Sequence, residues 1–290
     1  MQKWIQATRP FSLTASLVPI LVGGALAFRA GRFDLVNFVI VLVGGVLLQI
    51  GTNMVNDAYD VHFGVDAPDA HRPGHAVYDV GMDPALEARV GVGVFVVAIA
   101  LGGVLALRVG PLILVPVVLG ALGGYFYTAP PVHYKYRGWS VPIVFWMMGP
   151  IMIWAAAYGT GGTMSAAFWW VSIPVGLLVA SILHANDIRD IEGDRTGRIV
   201  TLAGSIGERM SLGMYGGLIF VPYALAVVAV ASGRLPWTAL FVLATLPLAE
   251  RAWARAKAQI LPTLDAQTAQ IHLTFGLLLA VGLFASAAAL

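Results

Sequence analysis

Seven of the fifteen acids of this chain lie in two short stretches. NDAYDVHFGVD, residues 56–66, follows the apolar run IVLVGGVLLQIGTNMV, and HANDIRDIEGD, residues 184–194, closes another apolar run. Both contain Asn-Asp-x-x-Asp: Asn56, Asp57 and Asp60 in the first, and Asn186, Asp187 and Asp190 in the second, 130 residues further on. Asp66 stands two residues after Gly64, and Asp194 four residues after Asp190. On a helix, residues at i, i+3, i+4 and i+7 share a face, so each motif presents its carboxylates together. Two such faces repel each other unless cations lie between them. Mg²⁺ is bound through a few carboxylates together with substrate phosphate oxygens. The chemistry that suits the pair is a diphosphate bridged by Mg²⁺ between two carboxylate-lined helix ends.

Two plainer readings compete. A single Asp at a helix end is usually a cap, and Asp83-Pro84 fits that description, with Asp at the cap and Pro at the first helical position. Capping does not explain one spacing recurring at two equivalent span ends. Intramembrane carboxylates can also form a cation or proton pathway. A transporter of that kind places its acids near the midplane, reachable from both sides, whereas these acids cluster at one end beside basic residues.

The elements that must hold the motifs are membrane helices. The 290 residues are 59% apolar and 11% charged, against about 25% charged in soluble domains. Apolar segments are predicted at 12–30, 36–55, 86–107, 111–128, 141–158, 166–185, 211–231, 236–249 and 271–289. The expected fold is all-α: a polytopic membrane protein with nine transmembrane helices in a bundle, a polar cap on the cytoplasmic side, and a single domain over 1–290. Frequent glycine (33 residues) suits close helix packing in lipid. With the N-terminus inside, 13 of the 17 Lys and Arg residues face the cytoplasm and 4 face out, which is the expected bias. Both motifs then emerge on the cytoplasmic side, and the C-terminus lies outside. The net charge of +2, with basic residues confined to short loops, points away from nucleic acid. The absence of cysteine excludes disulfides, thiolate metal sites and a cysteine nucleophile.

On these motifs the chain resembles the UbiA superfamily of intramembrane prenyltransferases, over nearly its whole length. Within it, the sequence is most similar to the branch acting on 1,4-dihydroxy-2-naphthoate in menaquinone biosynthesis. WIQATRPFSLTASLVPILVGGALAF, NDAYDVHFGVD, YTAPPVHYKYRGW and NDIRDIEGDRTGRIVTLAGSIG carry that likeness. The chain departs from the branch in its first loop, at Asp187, where Asn is common, and in GRIVTL, where Arg198 stands in place of a lysine. Acceptors such as 1,4-dihydroxy-6-naphthoate or 4-hydroxybenzoate stay open.

The resemblance implies transfer of a polyprenyl group from prenyl diphosphate to an aromatic acid, with loss of CO₂ in the naphthoate branch, giving demethylmenaquinone. It implies Mg²⁺ as cofactor, held by Asp57, Asp60, Asp187 and Asp190. Asn56 and Asn186 would add neutral oxygen contacts. Arg72, Lys135, Arg137 and Arg198 are the basic candidates for phosphate oxygens, and Tyr127 is an aromatic face for the allylic cation. Asp66, Asp194 and Lys135 are the catalytic candidates, the two acids completing coordination or acting as general base.

Overall fold

The computed structural model describes residues 2–64, 76–196 and 200–288, and these are built from helices. In chain order they are α1 (Gln2–Ala7), α2 (Thr14–Arg29), α3 (Leu35–His62), α4 (Ala76–Val80), α5 (Pro84–Val109), α6 (Leu114–Tyr125), α7 (Ser140–Trp146), α8 (Met152–Gly161), α9 (Phe168–Thr196), α10 (Leu202–Ile206), α11 (Glu208–Ala231), α12 (Leu246–Lys257) and α13 (Leu264–Ala288). A single parallel bridge between Arg137 and Val200 is the one extended pairing among the described residues.

Among the described residues, six helices are long and apolar enough to cross a bilayer: Leu35–His62, Pro84–Val109, Ser140–Gly161, Phe168–Ile191, Glu208–Ala231 and Leu264–Ala287. Three of the nine predicted spans take a shorter form. The segment at 12–30 becomes a 3₁₀ turn, Pro10–Leu13, followed by the 16 residues of α2, which reach about 24 Å at 1.5 Å per residue. The segment at 111–128 becomes a 3₁₀ turn, Pro111–Ile113, and the 12 residues of α6. The segment at 236–249 is the 3₁₀ helix Trp237–Thr245 leading into α12. Each begins at or just after a proline (Pro10, Pro111 and Pro236), which lacks the N–H a preceding helix would need to continue. Much of the expected polar cap falls on 65–75 and 197–199, outside the described residues.

Local signals set the starts of the two helices that flank the first motif. Asp34 caps α3 by accepting from the Asn37 N–H at 2.8 Å. Asp83 caps α5 by accepting from the Ala85 N–H at 3.0 Å, with Pro84 at the first helical position, as the sequence predicts.

α9 is the inner helix. Two-thirds of its apolar window (67%) is buried, against 17% for α3, whose outer face is left for lipid. It packs on α7, α11, α13 and the π-helical segment Met147–Ile151, which joins α7 to α8 around Pro150. The crossing depends on glycine: a Cβ at Gly149 would lie 2.6 Å from the Gly176 Cα. The main apolar core, including Val18, Ile153, Leu178, Ile219 and Phe275, surrounds α9. The two motifs therefore ride on the last turns of α3 and α9, the two longest helices among the described residues, at 28 and 29 residues.

Candidate active site

Acids at the C-terminal turns of a helix face the negative end of its macrodipole. Burial makes this worse: Asp57 is 0% exposed and Asp60 2%. Basic side chains from elsewhere in the chain answer both problems. Lys135, in the loop after α6, places Nζ 2.8 and 2.6 Å from the two Asp60 oxygens and 3.0 Å from the Asn56 side-chain oxygen. Asn56 Nδ2 donates to Asp60 Oδ2 at 2.6 Å, one turn along α3, and the Tyr136 hydroxyl donates to Asp60 Oδ1 at 2.6 Å. Lys135 Nζ also lies over the rings of Tyr127 and Tyr136, 5.6 and 5.7 Å from their centroids. Asn56, Asp60, Lys135 and Tyr127, all expected from the sequence, thus form one unit.

Asp57 is held by Arg9, whose guanidinium forms an ion pair with it. Arg9 itself is set by a polar ladder one to two turns deeper on α3. Ser16 donates to Gln49 at 3.0 Å, Gln49 donates to Asn53 at 3.1 Å, and Asn53 Nδ2 donates to the Thr8 carbonyl at 2.8 Å and to Ser12 Oγ at 2.9 Å. The ladder pins the turn between α1 and α2. Arg9 there adopts φ +46°, the left-handed region, a conformation that costs a non-glycine residue about 1–3 kcal/mol and persists where surroundings over-determine it.

The second motif carries its own counter-charge. Arg189 bonds Asp190 from Nε at 3.0 Å and from Nη2 at 3.1 Å, reaches Asp265 at the start of α13, and bonds the Asn186 side-chain oxygen. Asp187 is buried at 5% exposure. Tyr127 links the two motifs, because its phenol lies within the fields of both Asp187 and Asp60. Burial, and then those charges, lift the Tyr127 phenol well above its ordinary value of 10. Burial likewise raises Tyr134, whose hydroxyl donates to the Gly123 carbonyl at 2.8 Å. Both phenols stay protonated at neutral pH; Tyr134 is a donor to Gly123 and Tyr127 a π-face under Lys135.

Other expected residues lie elsewhere. Arg137 turns to the Pro131 carbonyl and the His133 ring, each at 3.2 Å, rather than to the carboxylates. Asp66, Arg72 and Arg198 fall outside the described residues, as does the side chain of Asp194 on α9. Sequence reasoning passed over Arg9, Tyr136, Arg189, Gln49 and Asn53. Arg9 and Arg189 counted only toward topology, although Gln49 and Asn53 are spaced by four and share the helix face of Asn56, Asp57 and Asp60.

The donor set fits a hard divalent cation, since carboxylate and amide oxygens are what Mg²⁺ prefers. Among the described residues no three acids converge into a ready-made cation site; Asp57, Asp60 and Asp190 are each engaged by a basic side chain. Beside the first motif, a mainly apolar pocket of about 310 Å³ is lined by Val55, Tyr59, Ala88, Arg89, Val92 and Tyr125.

The described residues thus form a helical bundle of membrane-length helices in which acid-bearing helix turns meet lysine and tyrosine, the site of a polytopic membrane protein. Residues 16–261 match the UbiA prenyltransferase family, and the chain belongs to it. It is 30% identical over 287 residues to the 1,4-dihydroxy-2-naphthoate octaprenyltransferase of Bacillus subtilis, covering 97% of this chain and 92% of that protein. It is 29% identical over 286 residues to the human UbiA prenyltransferase domain-containing protein 1, covering 97% and 82%. Its fold is that of the UbiA homologue of Aeropyrum pernix, with a TM-score of 0.70 at 16% identity over 94% and 97% of the two chains. The UbiA homologue of Archaeoglobus fulgidus bound to GPP and Mg²⁺ matches with a TM-score of 0.65 at 15% identity over 98% and 99%. The protein is an integral membrane prenyltransferase of the UbiA family.

Proposed function

We propose that this chain, as one domain, transfers a polyprenyl group from its diphosphate to 1,4-dihydroxy-2-naphthoate, releasing CO₂ and forming the demethylmenaquinone skeleton. The likeness to the Bacillus subtilis octaprenyltransferase across 97% of the chain carries this reading. Mg²⁺, held by Asp57, Asp60, Asp187 and Asp190, would neutralise the diphosphate and improve it as a leaving group.

The chain's own residues do the rest. Lys135, joined here to Asp60 and Asn56, offers its ammonium to the diphosphate oxygens. Arg72, Arg137 and Arg198 are assigned to the same oxygens, and Asn56 and Asn186 to neutral contacts. The prenyl C–O bond breaks with its electron pair leaving on the diphosphate. Tyr127, protonated and facing Lys135, presents its ring to the allylic cation. The acceptor's ring carbon bonds to the prenyl carbon, and the pair of the departing carboxylate restores aromaticity as CO₂ leaves. Asp66 and Asp194 are assigned to orienting the cluster and to accepting the acceptor's hydroxyl proton. The N-terminus and both motifs lie on the cytoplasmic side, and the C-terminus outside.

The departures at Asp187 and in GRIVTL favour a second reading with another aromatic acceptor, such as 1,4-dihydroxy-6-naphthoate or 4-hydroxybenzoate. The test is prenylation in membranes supplied with octaprenyl diphosphate, Mg²⁺ and each acid in turn, with ring-carboxyl label followed as CO₂. Prenylated product with CO₂ from the 2-naphthoate supports the first reading. Product from 4-hydroxybenzoate with the carboxyl retained moves the protein to the second.

A further inference from the structure

Glu87 is an acid beside the first motif that neither motif supplies. It lies in the first turn of α5, is 0% exposed, and neither of its carboxylate oxygens has a hydrogen-bond partner among the described residues. Buried carboxylates without a partner are costly and rare. Helix packing fixes its place. A Cβ at Gly91 would lie 3.0 Å from Met54 Cβ and Val55 Cγ2, while one at Gly51 would meet the Gly91 carbonyl and Phe95 at 3.1 Å. α5 therefore runs opposite to α3, and one turn back from Gly91 is level with one turn on from Met54. That register sets Glu87 beside Asp57, within the fields of both Asp57 and Arg9. Arg9 Nε is also buried without an acceptor among the described residues. Among the described residues, the Arg9 guanidinium faces two buried acids, and it holds Asp57.

For Asp57 to offer oxygens to a divalent cation, Arg9 must let go, and a half-buried guanidinium left without its partner would oppose that step. We propose that Glu87 is a positioning residue for cation binding: it takes over Arg9 as Asp57 releases it. This rests on reading Asp57 as a cation ligand. Glu87 does not ligate the cation itself; it lowers the barrier to freeing Asp57 and the free energy of the freed state.

The test is Mn²⁺ binding, read from the free-ion EPR signal, to the full chain in detergent micelles, with circular dichroism confirming fold. Glu87→Gln weakens Mn²⁺ binding by about tenfold, within the ordinary range of coupling between sites. Glu87→Asp, which keeps the carboxyl group, recovers part of the loss. Arg9→Gln tightens binding by removing one competitor for Asp57. In the Arg9→Gln background, Glu87→Gln has no further effect. An equal loss in both backgrounds overturns the proposal and makes Glu87 a ligand or a background charge; no loss in either overturns it as well. Asp57→Asn separates the two readings: if it leaves Mn²⁺ affinity unchanged, the ligand assignment itself fails. If it weakens binding while the Glu87 effect is independent of Arg9, only the positioning role fails.

Discussion

Replacing Lys135 with methionine keeps the length of the side chain and removes its charge. Asp60, 2% exposed, would keep the Tyr136 hydroxyl and the Asn56 amide but lose its counter-ion. Removing one partner of a buried pair costs about 3–5 kcal/mol. The lower end applies here, because a quarter of the Lys135 side chain (25%) reaches solvent. A loss of about 3 kcal/mol lowers the folded-to-unfolded ratio by about 150-fold, at 1.4 kcal/mol per factor of ten. The assay is reversible unfolding in mixed micelles of increasing SDS content, followed by circular dichroism. The double variant Lys135→Met with Asp60→Asn carries no unpaired charge and keeps an acceptor for Tyr136. It unfolds later than Lys135→Met alone, while prenyl transfer stays lost in both. Two results refute the reasoning. Lys135→Met could unfold within 0.5 kcal/mol of the parent, or the double variant could lose the sum of the two single losses, which would mean the charges are not coupled.

Asn53→Ala releases the Thr8 carbonyl and Ser12 and loosens Arg9; it raises the KM for prenyl diphosphate more than it lowers kcat, and costs about 1–3 kcal/mol of stability as buried partners go unmet. Asp265→Asn removes the α13 carboxylate from Arg189, leaving that guanidinium to bind Asp190 and Asn186 more tightly, so steady-state titration should show a higher Mg²⁺ requirement. Gly149→Leu drives carbon into Gly176 across the α9 crossing and lowers the thermal midpoint or prevents folding, whereas Gly103→Ala, where a Cβ meets nothing within 4 Å, leaves the midpoint unchanged or raises it. Asp57→Ala abolishes prenyl transfer in the membrane assay, and EDTA does the same to the parent until Mg²⁺ is restored; activity surviving the substitution would remove Asp57 as a ligand, and activity surviving EDTA would remove the cation from the reaction.

The sequence by itself determined the class of this protein. Apolar runs with few charges leave a chain no solvent but lipid, and the Asn-Asp-x-x-Asp repeat marks two helix ends whose acids need cations. Asn56 and Asp60 were picked out by helix periodicity, a local property, whereas Lys135 and Tyr127 came from the family resemblance; the fold brings the four side chains together. The boundaries of three spans were less so, since the hydropathy of 12–30, 111–128 and 236–249 does not reveal that proline turns them into shorter or 3₁₀ segments. Only the tertiary structure decided which base holds which acid. Arg9 is 48 residues from Asp57 in sequence and Arg189 is adjacent to Asp190, yet both serve as counter-ions. Arg137, two residues from Lys135, turns away to His133 and Pro131. Glu87 looks like an ordinary first-turn acid until the Gly51–Gly91 contact buries it beside Asp57. Spacing fixes which side chains share a helix face, but pairing between helices depends on how closely the backbones approach, and that is settled only when the bundle is packed.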